Sequence, residues 1–225
     1  MKSYRELIEQ TFEFPQKEFK VRDHELLFND VPLMDIIKEY GTPLKLTYLP
    51  RISENIRFVQ ATFKSAMERF KYNGKYTYCY CTKSSHFSFI MEEALKNEDV
   101  HIETSSAFDI PIVRSLHEKG KISKDTHILC NGFKMPRYRQ YISELLNDGF
   151  QNCVPILDNL GEIDFYEDNV KTPFRVGIRV AADEEPKFEF YTSRLGIRYS
   201  DINSYRRRWF QYIGCTMASA ERYLE

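Results

Sequence analysis

The chain has 225 residues, 42% of them hydrophobic and 29% charged, and a net charge of −1. That is an ordinary globular composition, long enough for a real core, and it lacks the basic excess that nucleic-acid binding needs. The first residues, Met1 to Glu6, are charged, and no apolar run reaches membrane-spanning length, so the reading is a cytoplasmic protein without a membrane or nucleic-acid partner.

The five cysteines, Cys79, Cys81, Cys130, Cys153 and Cys215, fit no zinc spacing and read as free thiols in a reducing compartment. The histidines His24, His86, His101, His117 and His127 show no helical ligand spacing. They read as structural or solvated, and no metal is expected.

Taken in order, residues 1–22 suggest a short helix and a lead-in, and 24–31 an accessory strand. Leu33 to Tyr40 reads as a helix stopped by Gly41 and Pro43. Leu44 to Tyr48 is a strand candidate. Ile52, Ile56, Val59, Phe63, Met67 and Phe70 repeat at helical spacing, with Ser53 near the start as a cap. Asn73-Gly74 makes a turn, and a strand over 76–82 follows. Then helix 86–96, strand 100–104, helix 107–118, strand 126–130, helix 136–147 and strand 152–157 alternate. Ser106 with Asp109, and Asn159 with Glu162, have capping spacing. A short helix to about Glu167 and a strand over 174–180 complete the series. Such alternation means βα units and a parallel sheet.

Within 76–82, Tyr76, Tyr78 and Tyr80 share one face, and Thr77, Cys79 and Cys81 share the other with Lys83. The tyrosine face suits packing under helices. The small face would line a barrel interior and end in a lysine at the C-terminal rim, where such folds keep their chemistry. An amine held there is a candidate Schiff-base nucleophile; the bland alternative is a solvated loop lysine.

The sequence around Lys83 forms an ordered set with Tyr40-Gly41-Thr42-Pro43-Leu44, His101-Ile102-Glu103-Thr104-Ser105, Cys130-Asn131-Gly132-Phe133-Lys134, Val176-Gly177-Ile178-Arg179-Val180 and Ser193-Arg194-Leu195-Gly196-Ile197. The set resembles the fold-type III, alanine-racemase-like family of PLP-dependent decarboxylases, most closely the arginine and diaminopimelate decarboxylases. Each block alone is weak; their order and spacing, from about residue 23 to 203, make the resemblance specific.

The resemblance implies an α/β fold, an incomplete (β/α)8 TIM-type barrel, with pyridoxal 5'-phosphate (PLP) as cofactor. Residues 1–42 would be an N-terminal extension, 43–204 the partial PLP-binding barrel and 205–225 an atypical tail. Lys83 would hold PLP as a Schiff base, and Glu103, Arg179, Asn131 and Ser193 would support the cofactor site. At each position a plainer reading stands beside this one: Glu103 as a helix cap, Arg179 as a rim arginine paired with Asp183 or Glu184, Asn131-Gly132 as a simple turn. Gly177 beneath Arg179 would leave room for something flat, and Glu103 is one partner open to Arg179. Lys134 and Arg137 read as a solvated loop that could attract an anion. Arg194 and Leu195 stand where the family usually has lysine and phenylalanine, which weakens the transfer to Ser193.

The family's ring-stacking histidine, glycine-rich phosphate loop, pyridine-pairing acid and C-terminal β-domain are not recognisable here. Residues 205–225 hold four arginines and no lysine, against 12 arginines and 16 lysines before them. The expectation is therefore an N-terminal fragment, inactive by itself, of an enzyme whose full-length parent is a homodimer. The first functional reading is arginine decarboxylation to agmatine and CO₂ in polyamine biosynthesis, with a small amino acid as substrate. A diaminopimelate decarboxylase or an amino-acid racemase on the same barrel is the second. A non-catalytic, PLP-binding or inert fragment is the third.

Overall fold

The computed structural model describes residues 18–159, 161–181, 196–198 and 202. The chain divides into two compact units, one ending at Tyr48 and one beginning at Leu49.

In the first unit, strands β1 (Phe19–Arg22), β2 (Glu25–Phe28) and β3 (Val31–Pro32) form an antiparallel meander, followed by helix α1 (Leu33–Tyr40). One accessory strand was expected over 24–31; three short ones appear instead. Both connections are two-residue turns with positive φ at each position, 50° and 65° at Asp23-His24 and 49° and 65° at Asn29-Asp30. That is the backbone of type I′ hairpin turns, which Asn and Asp tolerate without glycine. Residues 44–48, expected as a strand, carry none. Leu44 and Leu46 are exposed, so the alternation that suggested a strand has no sheet to pack on.

The second unit is α/β. Strands β4 (Tyr78–Cys81), β5 (Val100–Thr104), β6 (Ile128–Cys130), β7 (Cys153–Leu157) and β8 (Gly177–Ile178) form one parallel sheet in chain order. Among the described residues it does not close into a barrel. The helices are α2 (Pro50–Arg69), α3 (Ser88–Ala94), α4 (Asp109–Glu118), α5 (Pro136–Asn147) and α6 (Glu162–Asn169).

Alternation splits the sheet into two faces. Val100, Ile102 and Thr104 of β5 are buried, whereas His101 and Glu103 are half-buried. The buried face packs Ile102, Ile128 and Leu157 against Val113 of α4, Ile142 of α5 and Ile163 of α6. Each fully buried aliphatic side chain contributes roughly 1.5–3 kcal/mol. Tyr78 and Tyr80 lie under Ile56 and Ala94, as their shared face implies. On the other face His101 Nδ1 accepts the His127 N–H at 3.1 Å, and burial, then the His127 charge, lowers the His101 pKa.

Of the two capping expectations one holds. The Asp109 carboxylate accepts the backbone N–H groups of Ser105 at 2.9 Å and Ser106 at 3.0 Å. Asn159 is not a cap: Gly161 precedes α6 without a side-chain cap, and Asn159 Nδ2 donates instead to Glu162 Oε1 at 3.0 Å. Ser53 is not a cap: Pro50 starts α2 earlier, and the buried Ser53 hydroxyl donates to Glu93 Oε1 at 2.6 Å. Along the α2 stripe only Ile56 is buried, and Phe63 and Phe70 stay exposed.

The strand expected over 174–180 is split. After β8, Val180–Ala181 (β9) pairs in parallel with Ile197–Arg198 (β10) in a separate ribbon. Arg179 is the joint: its N–H donates to Leu157 O at 3.0 Å, and its carbonyl accepts from Ile197 N at 2.8 Å. Gly196, at φ +109°, lets the backbone pass Arg179 closely, since a Cβ there would lie 2.8 Å from Arg179 O.

Candidate functional site

The C-terminal ends of β4, β5 and β6 bring Lys83, Cys81, Glu103 and Asn131 to one rim. β4 stops at Cys81, and Lys83 sits in the turn that follows. The turn is fixed at three points. Thr82 N donates to Glu103 O at 2.9 Å, Ser84 N to Cys81 O at 3.1 Å, and the Tyr80 hydroxyl to Ser85 O at 2.8 Å. The Lys83 side chain is exposed and makes no hydrogen bond or ion pair among the described residues.

Cys81 and Glu103 are register partners, so they stand side by side on the half-buried face. Glu103 Oε1 accepts from Cys81 Sγ at 3.7 Å and from Asn131 Nδ2 at 3.1 Å. Glu103 therefore does not cap the next helix; Asp109 does. One step back along β4, burial and the Glu103 charge push the Cys79 thiol up to about 11, so it stays protonated at neutral pH.

Asn131 is held at both ends of its amide, because its Oδ1 accepts the Gly132 N–H at 2.8 Å. Gly132 has φ +83°, and a Cβ there would lie 3.3 Å from Ser105 O. The glycine is required both by the left-handed backbone and by the approach of the preceding loop.

Lys134 overturns its reading as a solvated loop residue. Its side chain is 0% exposed, and its ammonium donates to Gly132 O at 2.8 Å and to Ile156 O. It pairs with Glu162 Oε2 at 3.1 Å, and Glu162 is itself buried. Burial raises the Glu162 carboxyl above its usual range; the Lys134 charge opposes that. Arg137 turns instead to Tyr141, whose hydroxyl accepts from its guanidinium at 2.7 Å.

Arg179 is not a partner of Glu103. Its Nη1 lies 3.5 Å from Asp158 Oδ1, at the end of β7, and its side chain is 40% exposed. Neither Asp158 oxygen has a hydrogen-bond donor, although the carboxylate is buried. The space above Gly177 is taken by Ile156, whose Cδ1 would lie 2.4 Å from an added Cβ. Ser193 lies outside the described residues, as do Asp183 and Glu184. The structure thus joins Lys83, Glu103 and Asn131 on one rim and sets Arg179 with Asp158 at β7 and β8. The grouping of Lys134, Glu162 and Asp158 escapes sequence reasoning; the one signal was the Asn159–Glu162 spacing, which brings the two side chains together while the second carboxylate oxygen meets Lys134.

Among the described residues no cluster of three or more His, Cys, Asp or Glu side chains could hold a metal ion, and the four described cysteines are free. No helix among them is long and apolar enough to cross a membrane.

A parallel sheet with helices between its strands and a lysine-bearing turn at a strand end defines the class of fold. Comparison with solved structures then gives its relatives. The fold is similar to the biosynthetic arginine decarboxylase SpeA from Campylobacter jejuni, at a TM-score of 0.61 and 16% identity, over 86% of this chain and 33% of that one. It is also similar to the diaminopimelate decarboxylase from M. jannaschii, at a TM-score of 0.66 and 15% identity, over 82% of this chain and 42% of that one. The co-complex of that decarboxylase with L-lysine gives 0.69 and 14% over 89% and 45%. The chain spans less than half the length of each. These are the two kinds of enzyme that the sequence blocks resemble. No family model and no curated protein matches the chain.

Proposed function

We propose that this chain forms part of a PLP-dependent amino-acid decarboxylase acting on arginine. The observation that carries the reading is Lys83: an exposed amine without a hydrogen bond or ion pair among the described residues, in a fixed turn at the end of β4, whose register partner β5 carries a carboxylate held by an asparagine amide. The fold shared with an arginine decarboxylase and a diaminopimelate decarboxylase supports it. In this reading the five-stranded sheet belongs to an incomplete (β/α)8 barrel, of which residues 43–204 form the PLP-binding part. Residues 1–42 are an extension, 205–225 a tail, and the whole enzyme a cytoplasmic homodimer.

The residues present fit the aldehyde end of such a cofactor. Lys83 offers an amine with no competing acceptor, and the buried hydroxyls of Thr82 and Ser85 on either side of it have no partners. Bound PLP supplies an electron sink for the bond to the departing carboxylate. The chain's own groups do the rest. The Tyr80–Ser85 hydrogen bond orients the turn and so the lysine. Glu103 adds a carboxylate on the neighbouring strand, its direction set by Asn131 and Cys81. Ser193 would add a further contact, and Arg179 keeps the Asp158 charge balanced.

The test is borohydride reduction after incubation with PLP, followed by peptide mapping. The label is expected on the peptide containing Lys83 and absent from Lys83→Ala; a label on Lys75 or Lys96 overturns the assignment. Diaminopimelate decarboxylation is the second reading, favoured by the higher TM-scores to the M. jannaschii enzyme. Assaying both amino acids separates the two.

A further inference from the structure

We infer that Lys134 is a positioning residue for Glu103, acting through the Asn131-Gly132 turn. The chain of contacts is continuous. The buried Lys134 ammonium is fixed by Glu162 Oε2 at 3.1 Å and by the carbonyl of Ile156 on β7. It also donates to Gly132 O at 2.8 Å. The Gly132 N–H holds Asn131 Oδ1 at 2.8 Å, and Asn131 Nδ2 holds Glu103 Oε1 at 3.1 Å. The Gly132 backbone and the Asn131 amide thus lie between a buried ion pair and the Glu103 carboxylate.

Chemistry favours a lysine for this task. Its ammonium has three donors and no acceptor; it donates to carbonyls of two different strand ends, and its charge is paired with the Glu162 carboxylate. A hydrophobic residue of similar length would fill the same space but leave Gly132 O and Ile156 O without a donor and Glu162 without a counter-charge. The turn would then lose its tie to β7, and the Asn131 amide its fixed direction. Burial of a charge at a strand end is costly, and the geometry gives it a purpose beyond filling the core.

The meaning of this relay for catalysis rests on the decarboxylase reading; the relay itself does not, and it is tested without cofactor. In the purified chain labelled with ¹⁵N, the Asn131 side-chain amide is followed by NMR through a carboxylate titration. The resonance is assigned by its loss in Asn131→Ser, and the titration step by its loss in Glu103→Gln. Lys134→Met is expected to lose most of that step, Lys134→Arg to restore part of it, and Ile142→Ala, a core truncation on α5, to keep it. A folded Lys134→Met with an unchanged Asn131 titration overturns the inference. Should Lys134→Met fail to fold, Glu162→Gln decides: a reduced step supports the relay, and an unchanged step overturns it. Labelling of Lys83 by PLP reads the decarboxylase assignment separately.

Discussion

Two lysines follow strand ends two strands apart, and their surroundings are opposite. Lys83, after β4, has a fixed backbone and a free amine. Lys134, after β6, has a fixed amine, its side chain 0% exposed, bonded to two carbonyls and paired with Glu162. In the proposed function the first is the one open to a covalent bond, since the second is tied to a carboxylate whose loss of partner would leave a buried charge. One fold can thus hold two lysines differently: the exposed one is positioned through its backbone, and the buried one is bonded to the backbone of others.

The largest expected effect tests that division directly. Lys134→Ala leaves Glu162 and two carbonyls buried without their donor, and is expected to destabilise the chain by about 3–5 kcal/mol. Lys83→Ala removes an exposed side chain without a hydrogen bond or ion pair among the described residues, and is expected to stay within about 0.5 kcal/mol of the parent. Urea unfolding of both variants measures the contrast. Equal losses would show that Lys83 has structural partners of its own or that Lys134 is replaceable.

The difference between the two was not visible in the sequence. Alternation of side chains reads out locally, so the βα order and the shared face of Tyr78 and Tyr80 were legible from spacing. The Asp109 contacts were legible for the same reason, since Ser106 and Ser105 lie three and four residues away. Burial of Lys134 is set by Ile156 and Glu162, more than twenty residues on, and no local pattern announces it. The same holds for Asp158 with Arg179. Residues 44–48 failed in the opposite way, carrying a strand pattern with no neighbouring strand to pair. The turns at Asp23-His24 and Asn29-Asp30 escaped because their positive φ angles are met without glycine.

A smaller effect probes the hinge between the two lysines. Gly132→Ala adds a Cβ at φ +83°, 3.3 Å from Ser105 O. The left-handed backbone alone costs about 1–2 kcal/mol for an L side chain. The loop of Ser105 must also give way, which shifts the Asn131 contact with Glu103. A loss of that size in urea unfolding is expected, below that of Lys134→Ala. No loss at all would mean that the turn relaxes freely and does not transmit the position of β7.

The smallest effect is a pH dependence confined to the buried lysine's end. Burial raises the Glu162 pKa above its usual 4.5, with Lys134 opposing the rise and the nearby Asp158 charge adding to it. A carboxyl raised in the folded state binds its proton more tightly there than in the unfolded chain. Its contribution to stability is therefore complete below pH 4.5 and is lost as pH rises through the folded value. One proton limits the slope to about 1.4 kcal/mol per pH unit. Glu162→Gln removes this titration. The stability of the parent relative to Glu162→Gln should thus fall between pH 4 and pH 7, while the parent relative to Lys83→Ala stays level. Urea midpoints across that range supply the measurement. A parent that gains stability over Glu162→Gln as pH rises would show that Lys134 outweighs burial and holds the carboxyl below its usual value.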